Sequence, residues 1–323
     1  AAVYFGGEVA ALTDQLLAET NWRAFDLGKG VLSMGWRASQ GRNPNRKSGL
    51  LDAKWTICSD EERLIYFLAV GAPRAEYAIT PEAYYQLRRE IKRQDDLPPH
   101  VVSWNGALFT YFFSHCWIDY RELEADDPRQ FGVEAPRVDW FENSRRAVLS
   151  HRERCIARQS DFRTFSAHRW GLSPCMGQNE RGLPGYLVPA VQPNLSNRDD
   201  WIGGTVATYA AGSAIMFAPQ ESLAALREYR NLRDPAGKLV AWRDIDSGGY
   251  GLIDSFNLDQ VYASEDYIGI DVGPLLLAIE NLRTGLIWRL FSQHEVSKNA
   301  HQRLKLQKRS NRTRQINEGK GGH

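Results

Sequence analysis

Apolar residues recur along this chain mainly at the spacing of amphipathic helices. In residues 7–25, for example, Val9, Leu12 and Leu16 fall on one helical face. Alternation of apolar and polar residues, which is typical of strands, is confined to short candidates at 28–36 and 184–193. The spacing predicts an all-α fold, with helices over residues 7–25, 59–70, 80–94, 106–121, 138–158, 203–216, 219–233 and 272–293.

Long irregular segments separate these helices. They are rich in Gly, Pro, Asn and aromatic residues, and they cover 33–50, 95–105, 123–137, 160–202 and 234–270. Loops of this length inside a compact domain are usually functional. Helical hairpins packed in a ring would leave such loops at one end, so we expect a working face there.

Size and charge are those of an ordinary globular protein. The chain has 323 residues, of which 43% are apolar and 24% charged, and its net charge of +1 gives no reason to expect a nucleic-acid partner. No apolar run approaches the roughly 18 residues of a membrane span, and the N-terminus lacks the basic leader of a secretory signal. We expect one domain over residues 1–296, followed by a polar, basic tail over residues 297–323.

The cysteine pattern gives no support for a metal or redox centre. The four cysteines are Cys58, Cys116, Cys155 and Cys175, and no two of them form a CxxC pair. A core of this size needs no disulfide staples. We therefore expect buried free thiols, no bound metal and no cofactor.

Acidic residues cluster beside aromatic ones in four segments. The segments are CSDEERLIYFLAVGAP (58–73), FSHCWIDYRELE (113–124), VDWFENSRRA (138–147) and GGYGLIDSFNLDQVYASEDYIGIDVGP (248–274). A calcium loop, HExxH, GxSxG, a P-loop and a dinucleotide fingerprint are all absent from the sequence. Acidic residues beside aromatic rings are typical of a glycosidase active site. There one carboxyl protonates the leaving oxygen, and another activates a water or attacks the anomeric carbon.

These segments, together with HRWGLSPC, GLPGY, GGTVATYAAGSAIMFAPQESLAALREYR and GIDVGPLLLAIENLRTGLIW, carry a family resemblance from about residue 10 to residue 293. The chain resembles the bacterial glucoamylase-like family, which contains the endo-β-1,2-glucanases of glycoside hydrolase family 144 and the glycan-processing domain of cyclic β-1,2-glucan synthases. The resemblance implies an (α/α)6 toroid, with the long loops forming a cleft at one end. It also implies β-glucan or a gluco-oligosaccharide as the bound partner, and a periplasmic or extracellular location.

One loop departs from the family pattern. After the motif WG[LI] the family typically reads TASD or SES, which places an acid near the cleft. This chain reads WGLSPCMGQNERGLPGY, with Pro174, Cys175 and Met176 at that place. Glu180, a few residues further on in the same loop, is the expected substitute.

The resulting hypothesis is a glycoside hydrolase that cleaves β-linked glucan, with β-1,2-glucan as the expected substrate. The alternatives are a β-1,2-glucan transglycosylase or phosphorylase, a non-catalytic glycan-binding protein, and a cyclase or lyase acting on a non-sugar substrate. The candidate acids and bases are Asp139, Glu142, Glu180 and Asp254. Aromatic rings among the candidate substrate-binding residues would stack on glucose. These candidates are Glu61, Glu62, Trp117, Asp119, Arg121, Trp140, Arg145, Trp170, Tyr186, Tyr250, Asn257 and Asp271.

Charged residues also enter the apolar segment 267–285. Asp271, at its start, is expected to face the cleft. Glu280, Asn281 and Arg283 are expected to form a buried polar network that fixes the helix to its neighbours, because an isolated buried charge would cost several kcal/mol.

Overall fold

The computed structural model describes residues 1–37, 49–179 and 181–310. Its helices are α1 (Ala2–Phe5), α2 (Gly7–Glu19), α3 (Asp60–Val70), α4 (Pro81–Tyr85), α5 (Phe109–Phe112), α6 (Trp140–Ala157), α7 (Thr208–Ser213), α8 (Pro219–Asn231), α9 (Gly269–Thr284), α10 (Leu286–Gln293) and α11 (Glu295–Arg303). Its strands are β1 (Ile91–Lys92), β2 (His100–Val101), β3 (Cys175–Gln178), β4 (Pro184–Leu187), β5 (Val206–Ala207), β6 (Trp242–Arg243), β7 (Gly251–Leu252), β8 (Ser255–Asn257) and β9 (Tyr262–Ala263).

Helices dominate the described chain, as the apolar spacing predicts. Helix α3 begins after Ser59 and ends at Gly71, and α8 begins at Pro219, where a proline suits the first helical position. The strands pair antiparallel in small sheets, β1 with β2, β3 with β4, β6 with β7, and β5, β8 and β9 in that order. No strand in the described ranges is longer than the four residues of β3 and β4. The coarse prediction of a helical protein is therefore confirmed, and β4 lies within the strand candidate at 184–193.

Three predicted helices are much shorter than their apolar pattern. The segment predicted over 203–216 is α-helical only in α7, which follows strand β5. The segment predicted over 80–94 is helical only in α4 and continues into β1. The segment predicted over 106–121 contains α5 followed by the 3₁₀ turns Ser114–Cys116 and Tyr120–Glu122. Helix α2 does form within 7–25, but Leu12 and Leu16 on its apolar face are 54% and 69% exposed.

Residue contacts divide the chain into two compact units, where the sequence predicted one domain. The first unit contains Ala1–Arg89, Ile118–Trp140 and the described residues from Trp288 onward. The second unit contains Glu90–Trp117 and Phe141–Ile287. Each unit has its own buried aromatic residues, Tyr66, Phe67, Tyr84 and Tyr85 in the first, and Phe112, Trp170, Tyr209, Tyr229 and Phe256 in the second.

The beginning of the predicted polar tail is ordered within the first unit. Val296 and Ala300 of α11 are buried, and Leu304 is fully buried. The Tyr85 hydroxyl donates to the Leu304 carbonyl at 2.6 Å, and the Arg303 guanidinium donates to the Val70 carbonyl at 2.6 Å. Residues 311–323 of the predicted tail lie outside the described residues.

The core of the first unit contains a cluster of buried charges. Arg89 and Asp126 form a bidentate ion pair, with Nη1–Oδ1 at 2.7 Å and Nη2–Oδ2 at 2.9 Å. The same carboxylate accepts hydrogen bonds from Trp140 Nε1 at 2.9 Å and from the Val138 amide at 3.1 Å. The Arg63 guanidinium lies 3.8 Å from the centroid of the Trp140 ring, and Arg63 is also paired with Asp60. Buried arginines are tolerated here because each has a carboxylate and an aromatic face beside it.

Glu62 in the same unit gives a stability prediction. The residue is 3% exposed, and burial raises the pKa of Glu62 to about 8. Because the folded state holds this proton more tightly than the unfolded state, the free energy of unfolding falls as pH rises from the ordinary carboxyl range to about 8. Glu62→Gln should remove up to about 1.4 kcal/mol per pH unit of that slope. Urea unfolding between pH 5.5 and 8.5 measures how the free energy of unfolding depends on pH, and Glu8→Gln, at an exposed position, is the control. Equal pH slopes for the wild type, Glu62→Gln and Glu8→Gln would contradict the prediction.

In the second unit, Asn281 connects α9 to the turn at 114–116. Its side-chain amide donates to the Cys116 carbonyl at 2.9 Å, and Asn281 is buried. The prediction of a buried network is wrong for Glu280 and Arg283, which form a surface pair at 3.4 Å in which the Arg283 side chain is 70% exposed. The last turn of α9 turns toward solvent after Asn281, so this pair needs no buried partner.

All four cysteines are buried free thiols, which confirms the prediction drawn from their spacing. No helix in the parts of the chain that the structure describes is both long enough and apolar enough to cross a bilayer.

Candidate active site

Two aspartates from different segments meet in the second unit. Asp254 lies between β7 and β8, and Asp271 lies in the first turn of α9. Both residues are 1% exposed. Their carboxyls hydrogen-bond to each other, with Asp271 as the donor and Asp254 as the acceptor.

The backbone around Asp254 fixes the position of its carboxyl. The Met176 amide of β3 donates to Asp254 Oδ2 at 2.7 Å, and the Thr208 amide at the start of α7 donates to the Asp254 carbonyl at 3.0 Å. Asp254 Oδ1 is buried, and no N–H or hydroxyl of the described residues donates to it. A protonated Asp271 carboxyl can supply a donor to this buried carboxylate.

Asp271 has a second partner in β4. The Tyr186 hydroxyl lies 3.2 Å from Asp271 Oδ1 and 3.3 Å from Oδ2. Tyr209 of α7 is also close to this carboxyl and lowers its pKa. The Tyr209 hydroxyl, however, lies 2.8 Å from the Pro174 carbonyl, which competes for its proton. Tyr186 is therefore the main hydroxyl donor to Asp271.

Burial and mutual repulsion set the protonation of the pair. Burial raises the pKa of Asp271 to about 8, with the Asp254 charge and the hydrogen bond donated to Asp254 adding to the effect. Burial raises the pKa of Asp254 to about 6, against the hydrogen bonds from Met176 and Asp271. Two carboxyls in contact titrate together and cannot both ionise readily. At neutral pH the pair holds one proton, mainly on Asp271.

The loop that departs from the family pattern lies beside this pair. Cys175 is buried, and burial, followed by the charges of Asp254 and Asp271, raises the pKa of its thiol well above the usual range. The Cys175 thiol is therefore neutral and unreactive at physiological pH. Ser255 donates its hydroxyl to the Met176 carbonyl, so side chains of residues 254 and 255 bond both backbone groups of Met176.

Two exposed tyrosines belong to the surroundings of the pair, Tyr186 through its contact with Asp271 and Tyr250 through its place four residues before Asp254. Tyr186 is 47% exposed and Tyr250 is 80% exposed. The Tyr250 amide donates to the Tyr267 hydroxyl at 3.0 Å, and the two rings meet edge to face with centroids 5.3 Å apart. Exposed aromatic faces next to acids are suited to the apolar faces and polar edges of sugar rings.

Other predicted residues of the second unit have structural partners. Glu142 accepts hydrogen bonds from Arg145 at 2.8 Å and from Arg146 at 2.8 Å. Partial burial raises the pKa of Glu142, but these hydrogen bonds and charges outweigh it and lower the pKa overall, which suits a permanent carboxylate rather than an acid. Asn257 is fully buried and donates to the Gly203 carbonyl at 2.7 Å. Protein partners therefore occupy the Glu142 carboxylate and the Asn257 amide, and the predicted roles of both residues stay predictions.

Two of the tryptophans predicted to stack on glucose, Trp170 and Trp140, are buried. Trp170, in the second unit, is fully buried against the Tyr229 hydroxyl, which donates to the Trp170 carbonyl at 2.5 Å. Trp140, in the first unit, is 4% exposed and has the Arg63 guanidinium over its ring. Neither ring has a face free for glucose. Trp117 is partly buried in the second unit.

The remaining predicted residues belong to the first unit. Glu61 and Glu62 lie in the first turn of α3, where burial raises the pKa of both. Asp119 is paired with Arg121 at 2.8 Å, and the Arg121 guanidinium lies 3.9 Å from the centroid of the Trp288 ring. Asp139 is paired with Arg309 at 2.5 Å. Glu180 lies outside the described residues, so the expectation attached to it stays a prediction.

Of the partners of the two aspartates, the sequence named Tyr186 but not Met176 or Tyr209. Met176 acts through its backbone amide, which no residue type reveals, and Tyr209 lies in a family motif without an acid beside it. No three His, Cys, Asp or Glu side chains within 1–37, 49–179 and 181–310 are arranged as ligands of a metal ion.

Comparison with known proteins assigns the chain to a family. The model of the Glycoamylase family, described as "Putative glucoamylase", matches residues 54–295. The chain belongs to this glucoamylase-like family. The matched range includes β3, β4, α7, α9 and both aspartates of the pair.

Relatives of this glucoamylase-like protein include enzymes of β-1,2-glucan. It is 27% identical over 260 residues to an "Exo beta-1,2-glucooligosaccharide sophorohydrolase (non-reducing end)" of Parabacteroides distasonis, which covers 73% of this chain but 32% of that relative. The chain thus spans about a third of that protein. It superposes with a TM-score of 0.72 on an endo-beta-1,2-glucanase from Chitinophaga pinensis, at 22% identity over 94% of this chain and 66% of the other. Superposition on a beta-1,2-glucanase from Parabacteroides distasonis gives a TM-score of 0.70, at 22% identity over 94% of this chain and 42% of the other.

Proposed function

We propose that this glucoamylase-like protein is a glycoside hydrolase that cleaves β-1,2-glucan on an (α/α)6 toroid. The observation that carries the proposal is the buried Asp254–Asp271 pair, which holds one proton at neutral pH beside the half-exposed Tyr186. A carboxyl that stays protonated near neutral pH is what protonation of a glycosidic oxygen needs. The substrate class follows from the sophorohydrolase and glucanase relatives, and the toroid from the family resemblance together with the helical content.

Within the pair, we assign Asp271 as the general acid and Asp254 as the carboxylate that keeps the proton on it. Two hydrogen-bonded carboxyls lie much closer than the roughly 5 Å or more that separates the two working carboxyls of a glycosidase. Asp254 therefore cannot also serve as the base or nucleophile on the far side of the sugar. That role requires a further carboxylate, for which Glu180 is the candidate by its place between β3 and β4 in the chain.

The test is incubation of the protein with linear and cyclic β-1,2-glucans, with products separated by size. We expect shorter β-1,2-gluco-oligosaccharides and one new reducing end per cleavage of a linear chain, without any need for phosphate. Products that appear only with phosphate would indicate a phosphorylase, and longer chains would indicate a transglycosylase. Either result would overturn the hydrolase proposal.

A non-catalytic glycan-binding protein is the second candidate function. It is favoured by the loop after Leu172, which has Pro174, Cys175 and Met176 where the family places an acid. Calorimetric binding of β-1,2-glucan with no release of reducing ends after prolonged incubation would support this candidate and exclude hydrolysis.

Tyr250 provides a prediction about substrate binding. Its ring is 80% exposed and its backbone is held by the Tyr267 hydroxyl, so the ring can stack on a glucose residue without reorganising. Tyr250→Ala should raise KM for long β-1,2-gluco-oligosaccharides about 2- to 10-fold, which corresponds to the loss of one aromatic stacking contact, with kcat nearly unchanged. Initial rates over a series of chain lengths measure this. Unchanged KM at every length would exclude Tyr250 from the binding surface.

A further inference from the structure

The β3–β4 hairpin contacts both aspartates of the pair. Met176 of β3 and Tyr186 of β4 are directly opposite each other in the antiparallel register. The Met176 amide donates to Asp254 at 2.7 Å, and the Tyr186 hydroxyl donates to Asp271 at 3.2 to 3.3 Å. One rung of the hairpin therefore fixes the two carboxyls relative to each other.

The two donors have different chemical consequences. A backbone amide cannot leave Asp254 while β3 remains paired, so this hydrogen bond is permanent. The Tyr186 hydroxyl is carried by a half-exposed side chain, and Asp271 is its acceptor in the structure. A hydroxyl that donates to a carboxylate stabilises the charged form of that carboxylate. Tyr186 therefore stabilises the Asp271 anion more than it stabilises the protonated carboxyl.

Few other polar groups face Asp271. Asp254, from the segment between β7 and β8, repels the Asp271 anion, and the neutral thiol of Cys175 on β3 contributes no charge. Tyr209 of α7 shares its hydroxyl with Ser173 and the Pro174 carbonyl. Among the described residues, Tyr186 is the remaining hydroxyl donor, and its loss would leave the Asp271 anion against Asp254 with the weaker support of Tyr209.

We propose that Tyr186 is a positioning residue of the reaction, which holds Asp271 on the hairpin and sets how readily Asp271 gives up its proton. The inference rests on the proposed hydrolase function. As the glycosidic C–O bond breaks, the leaving oxygen keeps the bonding electrons and takes the proton of Asp271, while water attacks the anomeric carbon and loses a proton to a carboxylate base. Asp271 is left as an anion that accepts the Tyr186 hydrogen bond, until a proton from solvent restores it.

The test is Tyr186→Phe, which keeps the ring and removes the hydroxyl. Losing a hydrogen bond to a charged group should lower kcat about 10- to 100-fold, with a change in KM below about threefold. Because the removed donor favours the anion, the pKa of Asp271 should rise, so the alkaline limb of the kcat profile should move up by roughly one pH unit. Tyr77→Phe is the matched control: this partly buried tyrosine of the first unit bonds neither aspartate, and its variant should leave both measurements unchanged.

A second readout does not depend on turnover. Carboxyl ¹³C NMR of aspartate-labelled protein, assigned with Asp271→Asn, should show Asp271 titrating at higher pH in Tyr186→Phe than in the wild type. An active wild type whose Tyr186→Phe variant keeps its alkaline limb and titration midpoint would overturn the role of Tyr186. A wild type that releases no product, but shows the shifted titration, would overturn the hydrolase function and leave the hydrogen-bond assignment intact.

Discussion

Asp271→Asn is expected to lower kcat on β-1,2-gluco-oligosaccharides by about 10²–10⁴-fold, which is the usual contribution of a general acid. Asparagine has the shape of a protonated aspartate but cannot release a proton to the glycosidic oxygen. The loss should appear in kcat rather than KM, because the amide preserves the hydrogen bonds that hold the site in the ground state. Release of reducing ends under saturating substrate measures it.

The same variant should fold normally, which separates chemistry from stability. The side-chain amide introduced by Asp271→Asn can donate to the Asp254 carboxylate in place of the Asp271 proton, and it cannot ionise against Asp254. We therefore expect a Tm equal to or above that of the wild type at pH 7. Asp161→Asn, which removes an exposed acid paired with Arg158, is the control and should keep full activity. An Asp271→Asn protein with more than about a tenth of wild-type kcat would exclude Asp271 as the acid.

Local signals predicted those parts of the fold that local interactions determine. The apolar spacing predicted helices over 59–70 and 219–233, and α3 and α8 form there. Most of the short strands were not predicted, because two- or three-residue strands have no measurable alternation. Val206 of β5 pairs with Phe256 of β8, for example, and nothing near either residue indicates the other.

The candidate site was predicted in its parts but not in its arrangement. The sequence named Asp254 as an acid or base and Asp271 as a cleft residue, yet their contact depends on a backbone amide from β3 and on a hydroxyl from β4. The sequence also does not distinguish an exposed aromatic residue beside acids from a buried one. Tyr250 is exposed, whereas Trp140 has Arg63 and Arg89 within cation–π distance of its ring.

The second large effect concerns stability, and it arises at Asp126 in the first unit. Asp126→Asn should lower the free energy of unfolding by about 3–5 kcal/mol, because breaking a buried ion pair leaves the Arg89 guanidinium charged and uncompensated. The Asp126 carboxylate also accepts from Trp140 Nε1 and the Val138 amide, and a neutral amide cannot serve all of these donors. Urea unfolding followed by tryptophan fluorescence measures the loss. Glu124→Gln, two residues away and exposed, should change the free energy of unfolding by less than about 0.5 kcal/mol.

A double variant separates the two sources of that loss. If the cost comes from the unpaired Arg89 charge, Arg89→Met combined with Asp126→Asn should recover much of the stability, since replacing a whole buried pair is often neutral. If the cost comes instead from the unsatisfied donors of Trp140 and Val138, the double variant should be at least as unstable as Asp126→Asn alone. We expect recovery of more than half of the loss, because a buried charge without a partner costs more than a buried amide without an acceptor. An Asp126→Asn protein that unfolds within about 1 kcal/mol of the wild type would show that water reaches Arg89 and replaces the carboxylate.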